Sequence, residues 1–245
     1  MKVSVCMATY NGAKYLREQI DSILYQDLSK LGDIELELIV SDDSSTDETI
    51  NILKSYKDDR IKIYHHEKMN KHKWYCSAFA CTSNFGNAIK YATGDFIFLS
   101  DQDDVWYPWK IEKTLNKLIE YGGVVGCAFD IGDVNMHCIG SVVYKHQSFF
   151  RLRYEHSLYG FSCGFSKEEL KYIYPFPIIP FYDTFIMLSA QLRNRLHFVN
   201  EKCAMHRWSG EHNVSSARNN IVPFAVKIYY KVLMWLIVVL RFTFY

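Results

Sequence analysis

The sequence predicts an α/β domain in which parallel βαβ units build a mostly parallel sheet flanked by helices. Three observations predict it. Short apolar runs alternate with amphipathic helical patterns through the first 130 residues. Polar clusters follow the first, second and fourth of those runs, the edge at which open parallel sheets bind ligands. The chain has 245 residues, 49% of them hydrophobic, enough to bury a sizeable core.

The elements follow in order. "KVSVCMA" (2–8) reads as a buried strand, and in "NGAKYLREQIDSILYQ" Leu16, Ile20, Ile23 and Leu24 recur at helical spacing. "LELIVS" (36–41) is a second strand. The next helix opens at "SSTDETINILKSY", with Ser45 and Glu48 in capping-box spacing and Ile50 and Leu53 facing inward. "IKIYH" (61–65) is a third strand, "SNFGNAIKYA" (83–92) a helix and "DFIFLS" (95–100) a fourth strand. Pro108 sits near the first turn of a helix carrying Ile111, Leu115, Leu118 and Ile119 on one side. "GVVGCAF" (123–129) is a fifth strand; beyond it only 160–166, 182–195 and 196–200 read clearly.

"ATYNG" (8–12), "SDDSSTD" (41–47) and "SDQDD" (100–104) would then share the carboxyl edge of the sheet. Taken singly, Asn11-Gly12 is a turn, and Ser44, Ser45 and Asp47 are helix-capping residues. Their convergence on one edge points to a ligand. In an extended segment Asp101 and Asp103 project to one side. Paired carboxylates of this kind suit a hard dication, Mg²⁺ or Mn²⁺, whose other ligands are waters and phosphate oxygens. Without the ion, one of the pair would be pushed to protonate.

These residues resemble a known family. "VSVCMATYNGAKYLREQIDSIL", "IVSDDSSTD" and "GDFIFLSDQDDVWYPWKI" are similar to the family 2 glycosyltransferases of the GT-A fold, and "SDQDDVW" to their rhamnosyltransferase-type branch. The resemblance spans about residues 1–120, with a weaker one over 160–215. It implies a nucleotide cradle at Ala8, Thr9, Tyr10 and Asn11, and a pyrimidine contact at Asp42 or Asp43. It implies Asp101 on the ribose or metal side and Asp103 on the metal bridging a diphosphate. "FYDTFIMLSA" is similar to the segment bearing the catalytic base, here Asp183, whose reading from the residues alone is a helix N-cap. "HRWSGEHNVS" resembles the closing segment, in which Arg207, His212 and Asn213 face the diphosphate or metal. Two departures stand out: the stretch before Asn84-Phe85 is longer than usual, and Ser209 occupies a position where many relatives carry histidine.

The implied activity is inverting transfer of one sugar from a nucleotide diphosphate donor, dTDP-rhamnose or a UDP-hexose, to an acceptor hydroxyl. The implied acceptor is a lipid-linked oligosaccharide of bacterial surface polysaccharide. Residues 1–130 would bind the donor, 131–222 the acceptor and catalytic groups, and 223–245 would form a hydrophobic, basic helix. That tail has nine uninterrupted apolar residues from Val232 to Leu240, short of the ~20 needed to cross a bilayer. Flanking Lys227, Lys231 and Arg241 fit a helix lying on a membrane surface, or one packed on the domain.

Other classes fit less well. The formal net charge of +1 gives no global case for nucleic acid. Seven scattered cysteines without a C-x-x-C pair, and a start lacking signal-peptide features, suit the cytoplasmic side of a membrane. Neither G-x-G-x-x-G nor G-x-x-x-x-G-K-[ST] occurs. A nucleotidyltransferase would want a glycine- and basic-rich first loop, a processive synthase several membrane spans, and a non-catalytic nucleotide-sugar binder or scaffold would have lost Asp101, Asp103 and Asp183.

Overall fold

The computed structural model describes residues 1–67, 76–144, 158–208 and 224–244. Its centre is one nine-stranded sheet. β1 (Lys2–Thr9) pairs in parallel with β2 (Glu35–Asp42) and β4 (Phe96–Ser100), and β2 with β3 (Ile61–His65). β8 (Cys163–Ser166) runs antiparallel to β4 and to β6 (Val124–Gly132), so β6 regains the direction of β4. β9 (Leu196–Arg207) is parallel to β6, while β5 (Val105–Trp106) and β7 (Cys138–Val142) are antiparallel margins. Six strands therefore point one way: β1, β2, β3, β4, β6 and β9. This is the mostly parallel sheet that the sequence predicts.

Alternation along the strands decides which helix lies on which face. Val3, Val5 and Met7 of β1, with Leu38, Val40 and Phe98, join Leu16, Ile20 and Ile23 of α1 (Leu16–Leu24) on one face. Leu53 of α2 (Thr49–Ser55) and Ile111, Leu115 and Leu118 of α4 (Lys110–Tyr121) complete that core. Cys6, Ile39, Ile97 and Leu99 face the other way, against Phe85, Ala88 and Ile89 of α3 (Cys76–Lys90). Phe185 and Ile186 of α6 (Tyr182–Leu192) and Met234 and Val238 of α7 (Phe224–Phe244) close that second core. Each such side chain, fully buried, stabilises by about 1.5–3 kcal/mol.

Several elements differ from the sequence reading. α3 starts at Cys76, seven residues before the expected helix, and β9 runs to Arg207 rather than stopping near 200. The Ser45–Glu48 capping box does not form. α2 begins at Thr49, and Ser45 is spent on Asp42, its N–H on Oδ2 at 2.8 Å and its hydroxyl on Oδ1 at 2.6 Å. Asp183 is not an N-cap: Phe181 holds that position, and Asp183 is the second residue of α6, in the short-loop path from α5 (Leu170–Ile173).

α7 packs on the domain, the second of the two readings of the tail. Met234 and Val238 pack inward, and the Arg241 guanidinium donates to the carbonyls of Tyr172 and Pro175. Val232, Leu236 and Leu240 on the opposite face are each more than half exposed. Among the described residues no helix is long and apolar enough to cross a membrane.

Candidate active site

The register brings the three polar clusters together. Thr9 lies opposite Asp42 and Met7 opposite Ser100, so all three loops leave the sheet at one edge. Side chains then stitch them. The Thr9 hydroxyl donates to Asp42 Oδ1 at 2.8 Å, the Asn11 N–H to Ser45 Oγ at 2.9 Å, and the Thr46 N–H to Asn11 Oδ1 at 2.8 Å. Asn11 holds a left-handed φ of 48°, which asparagine tolerates better than most residues. Gln102 clamps the first loop to the acidic turn: it accepts from the Tyr10 N–H at 2.9 Å and donates to the Tyr10 carbonyl at 3.1 Å. Gly12 lies under that clamp, where a Cβ would stand 2.2 Å from Gln102 Oε1.

Asp42 and Asp43 separate in role. Asp42 spends both oxygens on Thr9 and Ser45, so it ties the loops together. Asp43 takes His66 Nδ1 on Oδ1 at 2.8 Å, and among the described residues nothing bonds its Oδ2. Asn84, whose place in the site was insecure from sequence, donates to the Thr9 carbonyl at 3.1 Å and leaves its own Oδ1 buried without a partner. Ala8 is half-buried near the end of β1, Thr9 after it is buried, and Tyr10 is 42% exposed at the mouth of the cradle.

The acidic turn divides its charges. Asp104 points inward, fully buried, and accepts on Oδ1 from His206 Nδ1 at 2.7 Å and from the Arg207 N–H at 3.1 Å. Its Oδ2 is buried with no partner. His206 stacks on Phe161 with centroids 4.8 Å apart and planes 9° apart. Burial disfavours its charged form, but Asp104, then Asp101 and Asp103, outweigh that and hold it up to about 9.

Asp101 and Asp103 are half-buried, and among the described residues neither carboxylate has a hydrogen-bond or ion-pair partner. Burial, and then the charge of Asp104, raises Asp101 well above the carboxylate range and pushes Asp103 up to about 7. Two unneutralised oxygen donors held close together at a water-accessible edge fit a hard dication, which would let both ionise. Among the described residues no group of three or more side chains is placed to hold a metal ion. His212 and Asn213 lie outside the described residues.

Arg207 is placed otherwise than its motif implies. It is 3% exposed, and its guanidinium donates to the carbonyls of Asp103 (3.0 Å) and Val134 (2.7 Å), bonds the Glu18 carboxylate, and lies 4.2 Å over the Tyr15 ring. Those partners make it a brace behind the turn that carries Asp103, rather than a group facing a diphosphate.

Asp183 completes the cluster from α6. Burial raises it to about 6, against the hydrogen bond that the Thr184 N–H donates to Oδ1 at 2.6 Å. Its charge reaches Asp101, raising that residue further. A carboxylate in this range can take a proton near neutral pH. Sequence reasoning missed Gln102, Glu18, His66 and the Asp104–His206 pair. The only signal for the last was a third acid in the turn; its partner lies 102 residues away.

The chain matches the family described as "Glycosyl transferase family 2" over residues 4–171. It is 36% identical over 140 residues to the uncharacterized glycosyltransferase RP339 of Rickettsia prowazekii, covering 56% of this chain and 39% of that relative. It is 29% identical over 226 residues to the dTDP-rhamnosyl transferase RfbG of Shigella flexneri, covering 84% and 72%. It is 27% identical over 204 residues to WfgD of Escherichia coli, a UDP-Glc:alpha-D-GlcNAc-diphosphoundecaprenol beta-1,3-glucosyltransferase, covering 81% and 73%. The chain spans about two fifths of the length of the first curated relatives it matches. Among solved structures, S. aureus TarS 1–349 in complex with UDP-GlcNAc superposes with a TM-score of 0.73 at 23% identity, covering 97% of this chain and 66% of that one.

Proposed function

Because the chain belongs to glycosyl transferase family 2, we propose that it transfers one sugar from a nucleotide diphosphate sugar to an acceptor hydroxyl, with inversion. The observation that carries this reading is the carboxyl edge of the sheet, where the loops after β1 and β2 are stitched together beside Asp101 and Asp103, with Asp183 of α6 near enough to raise Asp101 further. Thr9, Tyr10 and Asn11 cradle the nucleotide, and Asp43, through its open Oδ2, receives the base N–H. Asp101 and Asp103 would hold Mn²⁺ or Mg²⁺, which when bound supplies positive charge against the diphosphate leaving group.

Asp183 accepts the proton of the attacking hydroxyl as the new C1–O bond forms. The bond from C1 to the phosphate oxygen breaks on the opposite side, its electron pair leaving with the nucleoside diphosphate. Charge at the anomeric carbon rises on the way, as in glycoside hydrolysis. Residues 1–130 serve the donor and 131–222 the acceptor.

Similarity to RfbG and WfgD supports dTDP-rhamnose or a UDP-hexose as donor. It also supports a lipid-linked oligosaccharide acceptor in bacterial surface polysaccharide synthesis. The exposed apolar face of α7, on a helix whose only charged residues are basic, supports attachment to the inner face of the cell membrane. The test is Asp183→Asn, assayed with a donor panel and Mn²⁺. Turnover should fall at least 100-fold, while donor still raises the melting temperature. Wild-type kcat in the variant would remove the base assignment.

A further inference from the structure

A cleft of ≈ 190 Å³ opens beside the site between α3 and the loop joining α5 to α6. Phe79, Thr82 and Gly86 line one wall, and Tyr174, Phe176 and Ile178 the other. We propose that this cleft holds the isoprenoid chain of a lipid-linked acceptor, an inference that rests on the acceptor class given above and locates it.

Size and lining both select hydrocarbon. The volume falls below the about 300–1,000 Å³ of sites that enclose drug-sized ligands, so a slim chain fits where an oligosaccharide does not. A sugar ring would also need open hydrogen-bonding groups. Of the three hydroxyl side chains on the wall, Ser83 Oγ is engaged by His66 Nε2 at 3.0 Å and Thr82 Oγ1 is shut off from solvent, which leaves Tyr174 alone to serve a sugar ring.

The cleft also connects the right places. At its inner end Phe176 lies 5.9 Å, ring to ring, from Tyr182, the residue before Asp183. At its outer end Phe79 meets Tyr230 of α7 at 5.3 Å, and Tyr230 meets Tyr229 at 5.2 Å. Tyr229 is 62% exposed and begins the apolar row Val232, Leu236, Leu240, while Ile178, 66% exposed, forms the lip. A run of packed aromatic rings thus joins the face that would lie on lipid, through the walls of the cleft, to the residue beside the base. A membrane-held acceptor could reach the base without its chain crossing water.

Glycine 86 gives a clean perturbation. A Cβ there meets only Phe176 Cδ2, at 3.6 Å, so Gly86→Leu enters the cleft without a clash at its root. Leucine is also the better helix former, so α3 keeps its stability. Ile178→Glu at the exposed lip is the second variant. Binding of farnesyl phosphate is measured by calorimetry for wild type and both variants, beside binding of UDP and dTDP with Mn²⁺ and of a disaccharide phosphate without a chain. Each variant should weaken farnesyl phosphate at least tenfold and leave the nucleotides and the chainless sugar unchanged. No farnesyl phosphate binding by the wild type, unchanged binding by Gly86→Leu, or equal weakening of the chainless sugar would each overturn the proposal. Absence of nucleotide binding by the wild type would instead remove the transferase reading, leaving the isoprenoid result to stand separately.

Discussion

Glu37 on β2 is the carboxylate whose removal should cost the fold most. Its side chain is 2% exposed and collects five donors. Ser4 Oγ (2.6 Å), the Thr93 N–H (2.8 Å) and Thr93 Oγ1 (2.8 Å) bond Oε1, while Lys62 Nζ (2.8 Å) and Lys2 Nζ (3.2 Å) reach Oε2. Burial alone would raise the group; Lys62, Ser4 and Thr93 outweigh it and bring it down to about 2. A carboxyl that falls from 4.5 to about 2 on folding stabilises by about 3 kcal/mol at neutral pH. Lys62 is 40% and Lys2 24% exposed, so solvent screens their share and about 2–3 kcal/mol is the working figure.

Glu37→Gln keeps the shape and removes the charge, turning an amide N–H₂ toward an ammonium or a hydroxyl. For a chain of this length the loss should lower the melting temperature by about 4–12 °C. The pH dependence identifies the cause. The folded value is depressed, so the stabilisation is complete above the unfolded value of 4.5 and disappears as pH falls through about 2. Melting followed by circular dichroism at pH 7 and pH 3 should show more than half of the deficit gone at the lower pH. An equal deficit at both pH values would mean that the variant disturbs packing and that the charge argument is wrong. No deficit at pH 7 would remove the network from the stability account altogether.

Two further outcomes concern the site. The kcat/KM profile should fall about tenfold per pH unit below about 6, because Asp183 must be ionised to accept a proton; a flat profile from pH 7 to 5 would assign the proton elsewhere. Gly12→Ala forces a methyl into the Gln102 amide, which can swing aside at a cost below about 1 kcal/mol. The melting temperature should hardly move while the donor KM rises, because the Tyr10–Gln102 clamp opens; an unchanged KM would show that the clamp does not shape the cradle.

The first half of the fold was legible because its burial is periodic. Val3, Val5 and Met7 alternate with Cys6, and Leu16, Ile20 and Ile23 repeat at helical spacing, so sequence and packing carry the same pattern. β9 hid its length because its middle is polar, with Asn200, Glu201 and Lys202 exposed, and its register to β6 shifts twice. The acids at 101–104 were legible as a cluster but not as a division of labour. Which of them turns inward depends on His206 and Arg207, brought up by β9 from the far end of the chain. Arg207 was misplaced for the same reason, since Glu18, Tyr15 and Val134 are near it only in three dimensions.

The two edges of the sheet treat the same functional group in opposite ways, and the contrast is informative. At the amino edge Glu37 is given more donors than it needs and is held ionised down to about 2. At the carboxyl edge Asp101 and Asp103 are half-buried beside Asp104 and given none, so they resist ionisation near neutral pH. A fold able to satisfy a buried carboxylate with five donors did not lack the means to satisfy two more. The deficit at the carboxyl edge costs stability; His206 offsets part of it, and an added cation would offset more. Arg207 braces the backbone of that turn and leaves the two carboxylates open, and His206 spends its ring nitrogen on Asp104. On the proposed reading, a divalent cation arriving with a diphosphate would supply charge and a further set of oxygens. The charge left unbalanced at this edge is the physical ground on which the proposed metal-assisted donor site rests.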